Sequence, residues 1–165
     1  MDPPDDTQFD QVLLAWDDFQ WRGDIVSPLL GETIASDIEL SVNTKDEEHM
    51  IPCDEQLQSW KKFLESNDEQ YQNALNEILG YYRRMRPQYV KAGPEWAANM
   101  PNISSTHELE SMIGLSAITI TWPYEDSPLQ IGSRFSCDWD TEHGLGVVFQ
   151  AGQVVDVGGA DCAIL

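Results

Sequence analysis

The helical pattern of residues 54–86 lies between two regions that have the pattern of β-strands. In the helical stretch, apolar residues recur every three or four positions, which places them on one face of a helix. They are Leu57, Trp60, Phe63 and Leu64, then Tyr71, Ala74, Leu75, Ile78, Tyr82 and Met85. On both sides, as at Ile118, Ile120 and Trp122, apolar and polar residues alternate. This order predicts an α+β fold: a mainly antiparallel β-sheet with an inserted antiparallel two-helix hairpin, at about residues 54–86.

Turn and helix-end signals give the boundaries of these elements. Three arginines, Arg83, Arg84 and Arg86, suit the negative C-terminal end of the second helix, and Pro87 predicts its end. The residues that follow, 87–107, are rich in proline and glycine and are expected to form a long loop. Gly23-Asp24 predicts a turn, and Ala151-Gly152 predicts a tight hairpin between the last two strands.

The length of 165 residues predicts one folded domain. The first eleven residues are acidic and contain Pro3-Pro4, so residues 1–11 are expected to be a flexible acidic N-terminus without regular structure. Residues 12–165 are then a single α+β domain. The oligomeric state is left open.

Charge is the strongest signal in the composition. The chain has 29 acidic and 9 basic residues, a formal net charge of −20. Such a surface repels phosphate, so binding to nucleic acid or to an anionic membrane is not expected. It attracts a basic protein and accelerates the encounter with it. The alternative is that the charge serves solubility alone.

The cysteines and the N-terminus indicate the compartment. Cys53, Cys137 and Cys162 are far apart and form no C-x-x-C pair, so neither a disulfide framework nor a thiolate zinc site is predicted. The sequence contains no signal-peptide pattern at its start and no apolar run of the roughly 20 residues that cross a bilayer. We expect a soluble cytoplasmic protein that needs no cofactor.

The run "DWDTEHG", residues 138–144, is the one cluster of residues that suggests chemistry. It fits neither a calcium loop nor an H-E-x-x-H zinc site, because the required glycine, glutamate and second histidine are missing. A structural corner explains it better, with Trp139 pointing inward, His143 bridging the turn, and Gly144 and Gly146 supplying unusual backbone angles. The alternative is a small hydrolase or a metal-dependent enzyme that uses Asp140, Glu142 and His143.

The ending "FSCDWDTEHGLGVVFQAGQVVDVG" resembles that of an uncharacterised bacterial domain family with the signature Trp-Asp-x-Glu-His-Gly-x-Gly-Val. The stretches "FQWRG" and "ILGYYR" resemble the same family in the same order. Its members are often encoded beside polymorphic or contact-dependent toxins, of the type VI secretion or Rhs-like kind, and are suspected immunity proteins. The resemblance supplies no catalytic residues that can be carried over to this sequence, so it implies a fold and a context and not a mechanism.

These observations favour an immunity protein, not an enzyme, that binds a cognate and basic toxin domain and neutralises it by occlusion. A housekeeping protein-interaction domain is a further alternative. The expected contacts are acidic residues and the aromatics among them. They are Trp16, Asp17, Asp18, Trp21, Asp24, Asp46, Glu47 and Glu48, followed by Asp138, Asp140 and Glu142.

Overall fold

The computed structural model describes residues 3–26, 28–32, 38–46 and 49–165. They form an eight-stranded sheet whose strands lie side by side in chain order. The strands are β1 (Asp6–Phe9), β2 (Val12–Trp16), β3 (Trp21–Asp24), β4 (Glu39–Val42), β5 (Ile113–Ile120), β6 (Ile131–Cys137), β7 (Leu145–Gln150) and β8 (Gln153–Gly158). All neighbours are antiparallel except β4 and β5, which run parallel. The predicted α+β class with a mainly antiparallel sheet is confirmed.

The helices lie in the connection between the two parallel strands. They are α1 (Asp54–Glu65), α2 (Asn67–Ala92), α3 (Pro94–Ala98) and α4 (Thr106–Glu110). A parallel pair requires a long crossover, because the chain leaves β4 at one end of the sheet and must return to the opposite end before β5 begins. The sheet therefore consists of two antiparallel halves, β1–β4 and β5–β8, joined by a helical layer.

The predicted end of the second helix at Pro87 is wrong, since α2 continues through this residue to Ala92. Proline removes one helical hydrogen bond, and the last turns are held by Tyr89, which packs on the core and against Trp96 of α3. The arginines consequently lie inside α2. Two of them, Arg83 and Arg86, donate to the carbonyl oxygens of Ser104 and Met100, at 2.9 and 2.8 Å.

Only one residue, Ser66, separates α1 from α2. The antiparallel packing of these two helices as a hairpin stays a prediction. Residues 87–107, expected to be one long loop, include the end of α2, the whole of α3 and the start of α4. Within the described residues, no helix combines the length and the apolar composition that crossing a bilayer requires.

The two faces of the sheet are covered differently. The inner face packs on α1 and α2, where Phe63 meets Phe149 edge to face at 5.0 Å. On the outer face, the C-terminal segment 159–165 crosses β7 and β6. A Cβ on Gly132 would lie 2.4 Å from the carbonyl oxygen of Ala163, so glycine lets this segment lie directly on the strand.

Two local predictions for the N-terminal half are wrong. Strand β1 lies inside the segment predicted to have no regular structure, where residues 6–9 pair with β2. Gly23 and Asp24, predicted as a turn, belong to β3. A Cβ on Gly23 would lie 2.5 Å from the carbonyl oxygen of Leu13. The glycine is therefore explained by the close approach of β2 and not by a turn.

Candidate functional site

Several loops meet at the end of the sheet where β2 turns into β3. The β4–α1 connection and the β5–β6 loop reach the same end, because β4 and β5 run parallel and finish there. Their side chains line two adjoining grooves. We call this surface the acidic–aromatic rim and define it by Trp16, Asp18, Phe19, Lys45, Asp46 and Tyr124.

The most exposed apolar side chain at the rim is Phe19, with 85% of its surface accessible. It lies in the four-residue turn between β2 and β3. The Oδ1 atom of Asp17 accepts hydrogen bonds from the backbone N–H groups of Phe19 and Gln20, at 3.1 and 2.8 Å. Its Oδ2 atom lies 2.7 Å from Nε of Arg22. The turn is thus fixed by its own carboxylate, so Phe19 is presented on an ordered support.

The two grooves lie on either side of Phe19. The larger one has a volume of about 820 Å³ and is lined by the N-terminal prolines, by Trp16 and Asp18, and by residues that follow β4. The other has a volume of about 540 Å³ and is lined by Trp122, Tyr124 and Leu165, among others. Phe19 lines both grooves. A protruding aromatic side chain between two depressions is a shape that a partner protein can enclose.

The rim is negatively charged. Asp5, Asp18 and Asp46 line the larger groove, and Lys45 is the one basic residue among the described residues of its lining. Asp46 accepts hydrogen bonds from the backbone N–H of His49, at 3.0 Å, and lies 2.8 Å from its Nδ1. Acidic groups around exposed aromatic rings favour a partner that carries lysine or arginine, which can pair with the carboxylates and stack on the rings.

The predicted contact residues divide between two ends of the sheet. Trp16, Asp18 and Asp46 belong to the rim, and Asp17 lies in the turn that carries Phe19. Asp24 lies at the opposite end of β3, beside Glu39. Glu47 and Glu48 lie outside the described residues.

Asp138, Asp140 and Glu142 follow β6 and also lie at the end opposite the rim, because Cys137 pairs with the first residue of β5. An eight-residue strand is about 25 Å long, so this corner and the rim form two separate surfaces.

The prediction that Trp21 contacts a partner is wrong, because Trp21 is fully buried, at 0% exposure. Its ring packs against Trp16 with the centroids 5.5 Å apart, and its indole Nε1–H donates to the carbonyl oxygen of Met50 at 2.6 Å. Trp21 faces the core since it pairs with Val42 on the inner face. It supports the turn that carries Phe19, and it offers no surface to a partner.

The "DWDTEHG" corner is built around Asp140. Its Oδ1 atom accepts from the backbone N–H of His143 at 3.0 Å and lies 3.0 Å from Nδ1 of the same residue. The carbonyl oxygen of Asp140 accepts from the N–H of Gly144, whose φ is +69°. Trp139 is 5% exposed and meets Tyr82 edge to face at 5.0 Å. The unusual backbone angle predicted at Gly146 is wrong, since only Gly144 of the two has a positive φ. Gly146 is instead explained by close packing, because a Cβ there would lie 2.7 Å from Sγ of Cys162.

The corner brings together two of the three residues of the enzyme alternative, since Nδ1 of His143 lies 3.0 Å from Oδ1 of Asp140. The thiol of Cys137 donates to the carbonyl oxygen of Asp140 at 3.5 Å. Burial raises the pKa of Cys137 to about 11, so the thiol is protonated and a weak nucleophile at neutral pH. The described residues contain no group of three or more His, Cys, Asp or Glu side chains that could hold a metal ion.

Thiol labelling checks these pKa values. Burial also raises the pKa of Cys162 to about 11 from a usual 9, which reduces the thiolate fraction at neutral pH about 100-fold. We expect iodoacetamide to label Cys137 and Cys162 at least about 100-fold more slowly in the native protein than after unfolding in urea. Peptide mass spectrometry measures each rate separately. Equal rates at Cys137 in the two states would show that its thiol is accessible and that burial does not raise its pKa.

Phe19 is the residue that sequence reasoning missed. The run "WDDFQW" contains three aromatics, and its alternation does not show which of them faces water. The signal that distinguishes them is Asp17, since an aspartate whose carboxylate accepts from the N–H groups two and three residues later marks a turn. Trp16 and Trp21 then occupy paired strand positions, and Phe19 is left at the tip.

A family model described as "Domain of unknown function (DUF6985)" matches residues 9–165. The comparisons with curated proteins and with solved structures gave no match.

Proposed function

The chain belongs to the DUF6985 family of domains of unknown function, and we propose that it is an immunity protein. It binds a basic toxin domain and neutralises it by covering the toxin's active site. The observation that carries this proposal is the acidic–aromatic rim, where Phe19 protrudes from an ordered turn among carboxylates. A toxin that handles phosphate groups has the basic active site that such a surface complements.

The proposed mechanism has two steps with different physical causes. The net charge of −20 first steers the basic partner toward the protein over a long range. The partner then encloses Phe19 and packs on Tyr124, which is also exposed. Burial of these rings stabilises the complex, and the carboxylates of Asp18 and Asp46 lie at its edge.

The proposal includes a location in the cytoplasm, where an immunity protein meets an incoming or newly made toxin. The three cysteines, all within the described residues, are free thiols, which agrees with a reducing compartment. The corner at residues 138–144 has a structural role in this proposal. Its acids form a second negative surface, at the opposite end of the sheet from the rim.

The variant Phe19→Ala tests the role of the rim. We expect its affinity for the toxin domain encoded beside the gene to fall about tenfold or more, because the central apolar anchor is lost. The free energy of unfolding is expected to change by less than about 0.5 kcal/mol, since the side chain is exposed. Calorimetric titration measures the first quantity and urea unfolding the second.

Trp96→Ala is the matched control, because Trp96 is also an exposed aromatic, at 55%, but belongs to α3. Its affinity is expected to equal that of the unchanged protein. Protection of bacteria that express the toxin domain should be lost with Phe19→Ala and kept with Trp96→Ala. The opposite pattern would move the binding surface to the helical layer.

The steering step predicts a strong effect of salt on association. We expect the association rate to fall about tenfold between about 0.05 M and about 0.5 M salt, while the dissociation rate changes less. Stopped-flow mixing of the protein with the toxin domain measures both. An association rate that does not depend on ionic strength would refute steering, and it would leave the Phe19 anchor to be judged by its own variant.

A further inference from the structure

A third groove, on the helix side of the sheet, lies between α1, the β5–β6 loop and the β7–β8 turn. Its volume is about 480 Å³, which is in the range of small-molecule sites. One wall is a stripe of α1 at helical spacing, formed by Glu55, Ser59, Lys62 and Phe63. In the part of the chain that the structure describes, this groove and the rim have no lining residue in common.

The groove contains a buried amide with an unused acceptor. Gln70 lines the groove and is 5% exposed. Its Nε2 atom donates to Oγ of Ser66 and to the carbonyl oxygen of Gly152, both at 3.4 Å, which is long for a hydrogen bond. Its Oε1 atom is buried, and it has no hydrogen-bond partner in the described part of the chain. An unpaired buried acceptor is costly to the free protein, and a donor from a ligand relieves that cost.

The rest of the lining combines apolar and polar residues and has no net charge. Phe63 and Phe149 meet edge to face at its base, beside Leu129 and Ile131. Among the described residues of the lining, the two charged ones, Glu55 and Lys62, have opposite signs. A flat apolar ring can pack on these two phenylalanines. Because the charges of Glu55 and Lys62 cancel, a ligand with a net charge gains no electrostatic stabilisation in the groove.

We propose that this groove is a binding site for a small uncharged ring compound, whose N–H or O–H group donates to Oε1 of Gln70. The site does not depend on the proposed immunity function. The long bonds of Nε2 leave the amide free to turn its oxygen toward the ligand, while the ring packs on Phe63 and Phe149.

Indole and N-methylindole test the site, because they have nearly the same ring but only indole has an N–H donor. We expect indole to shift the NMR signals of Phe63 and Gly152 in a saturable way and to bind about fivefold or more tightly than N-methylindole. In Gln70→Leu, the two compounds should bind within twofold of each other. Equal binding to the unchanged protein would overturn the role of Gln70.

A blocking variant tests the groove independently of the amide. Ser59→Trp places a large ring in the groove and should remove the binding of both compounds. Gln88→Trp, which places the same ring on an exposed position of α2, should leave binding unchanged. Failure of both compounds to saturate the unchanged protein, or undiminished binding to Ser59→Trp, would overturn the site itself.

Discussion

Replacing Gln56 with leucine is expected to lower the free energy of unfolding by about 3 to 5 kcal/mol, since three backbone groups lose their partner at once. Gln56 is fully buried, at 0% exposure. Its Oε1 accepts from the N–H of Cys53 at 3.0 Å, which closes the start of α1. Its Nε2 donates to the carbonyl oxygens of Asn43 and Thr121, at 2.8 and 3.0 Å.

The last two bonds give Gln56 its importance for the whole fold. Asn43 follows β4 and Thr121 follows β5, the two parallel strands at the centre of the sheet. One amide thereby fixes the first turn of α1 to both halves of the sheet. Leucine has a similar volume but no polar atom, so the two carbonyl oxygens and the N–H of Cys53, all in half-buried residues, would lose this partner.

Urea unfolding measures the effect, and the midpoint of thermal unfolding should fall by about 10 °C or more. Gln58→Leu, two residues along the same helix and exposed, is the matched control and should change stability by less than about 0.5 kcal/mol. If both variants lost the same small amount of unfolding free energy, the hydrogen bonds of Gln56 would stabilise the fold no more than hydrogen bonds with water do.

Local sequence signals predicted the elements whose structure depends on near neighbours. The hairpin of β7 and β8 follows from Ala151-Gly152, which both adopt positive φ, at 48° and 75°. Trp139 alternates with two aspartates, and it points inward. In such places the period of the pattern and the turn chemistry decide the structure, and both can be read from the sequence.

The features that could not be predicted depend on contacts between distant segments. Gln56 and Gln70 are polar residues on amphipathic helices, and their burial results from strand ends and turns that lie up to 82 residues away in the chain. Trp21 and Phe19 have the same apolar character in the sequence, yet the pairing of β3 with β4 buries the first and leaves the second exposed. The candidate binding surfaces are therefore visible only after the sheet has been assembled.

Trp139→Ala is expected to lower the free energy of unfolding by about 3 to 5 kcal/mol, because it leaves a cavity under the corner and exposes Tyr82 to it. The hydroxyl of Tyr82 donates to the carbonyl oxygen of Pro101 at 2.7 Å, so the ring also holds the segment before α4.

His143→Ala, in the same corner, is the matched control. The His143 side chain is 72% exposed, and its backbone N–H keeps Asp140 as a partner after the change. A loss below about 1 kcal/mol is expected there. Urea unfolding of both variants, together with protection against the toxin domain, distinguishes a structural role of this corner from a direct chemical role of His143. A stable His143→Ala variant that no longer protects would show that the imidazole acts directly, and the structural role of this corner would then be wrong.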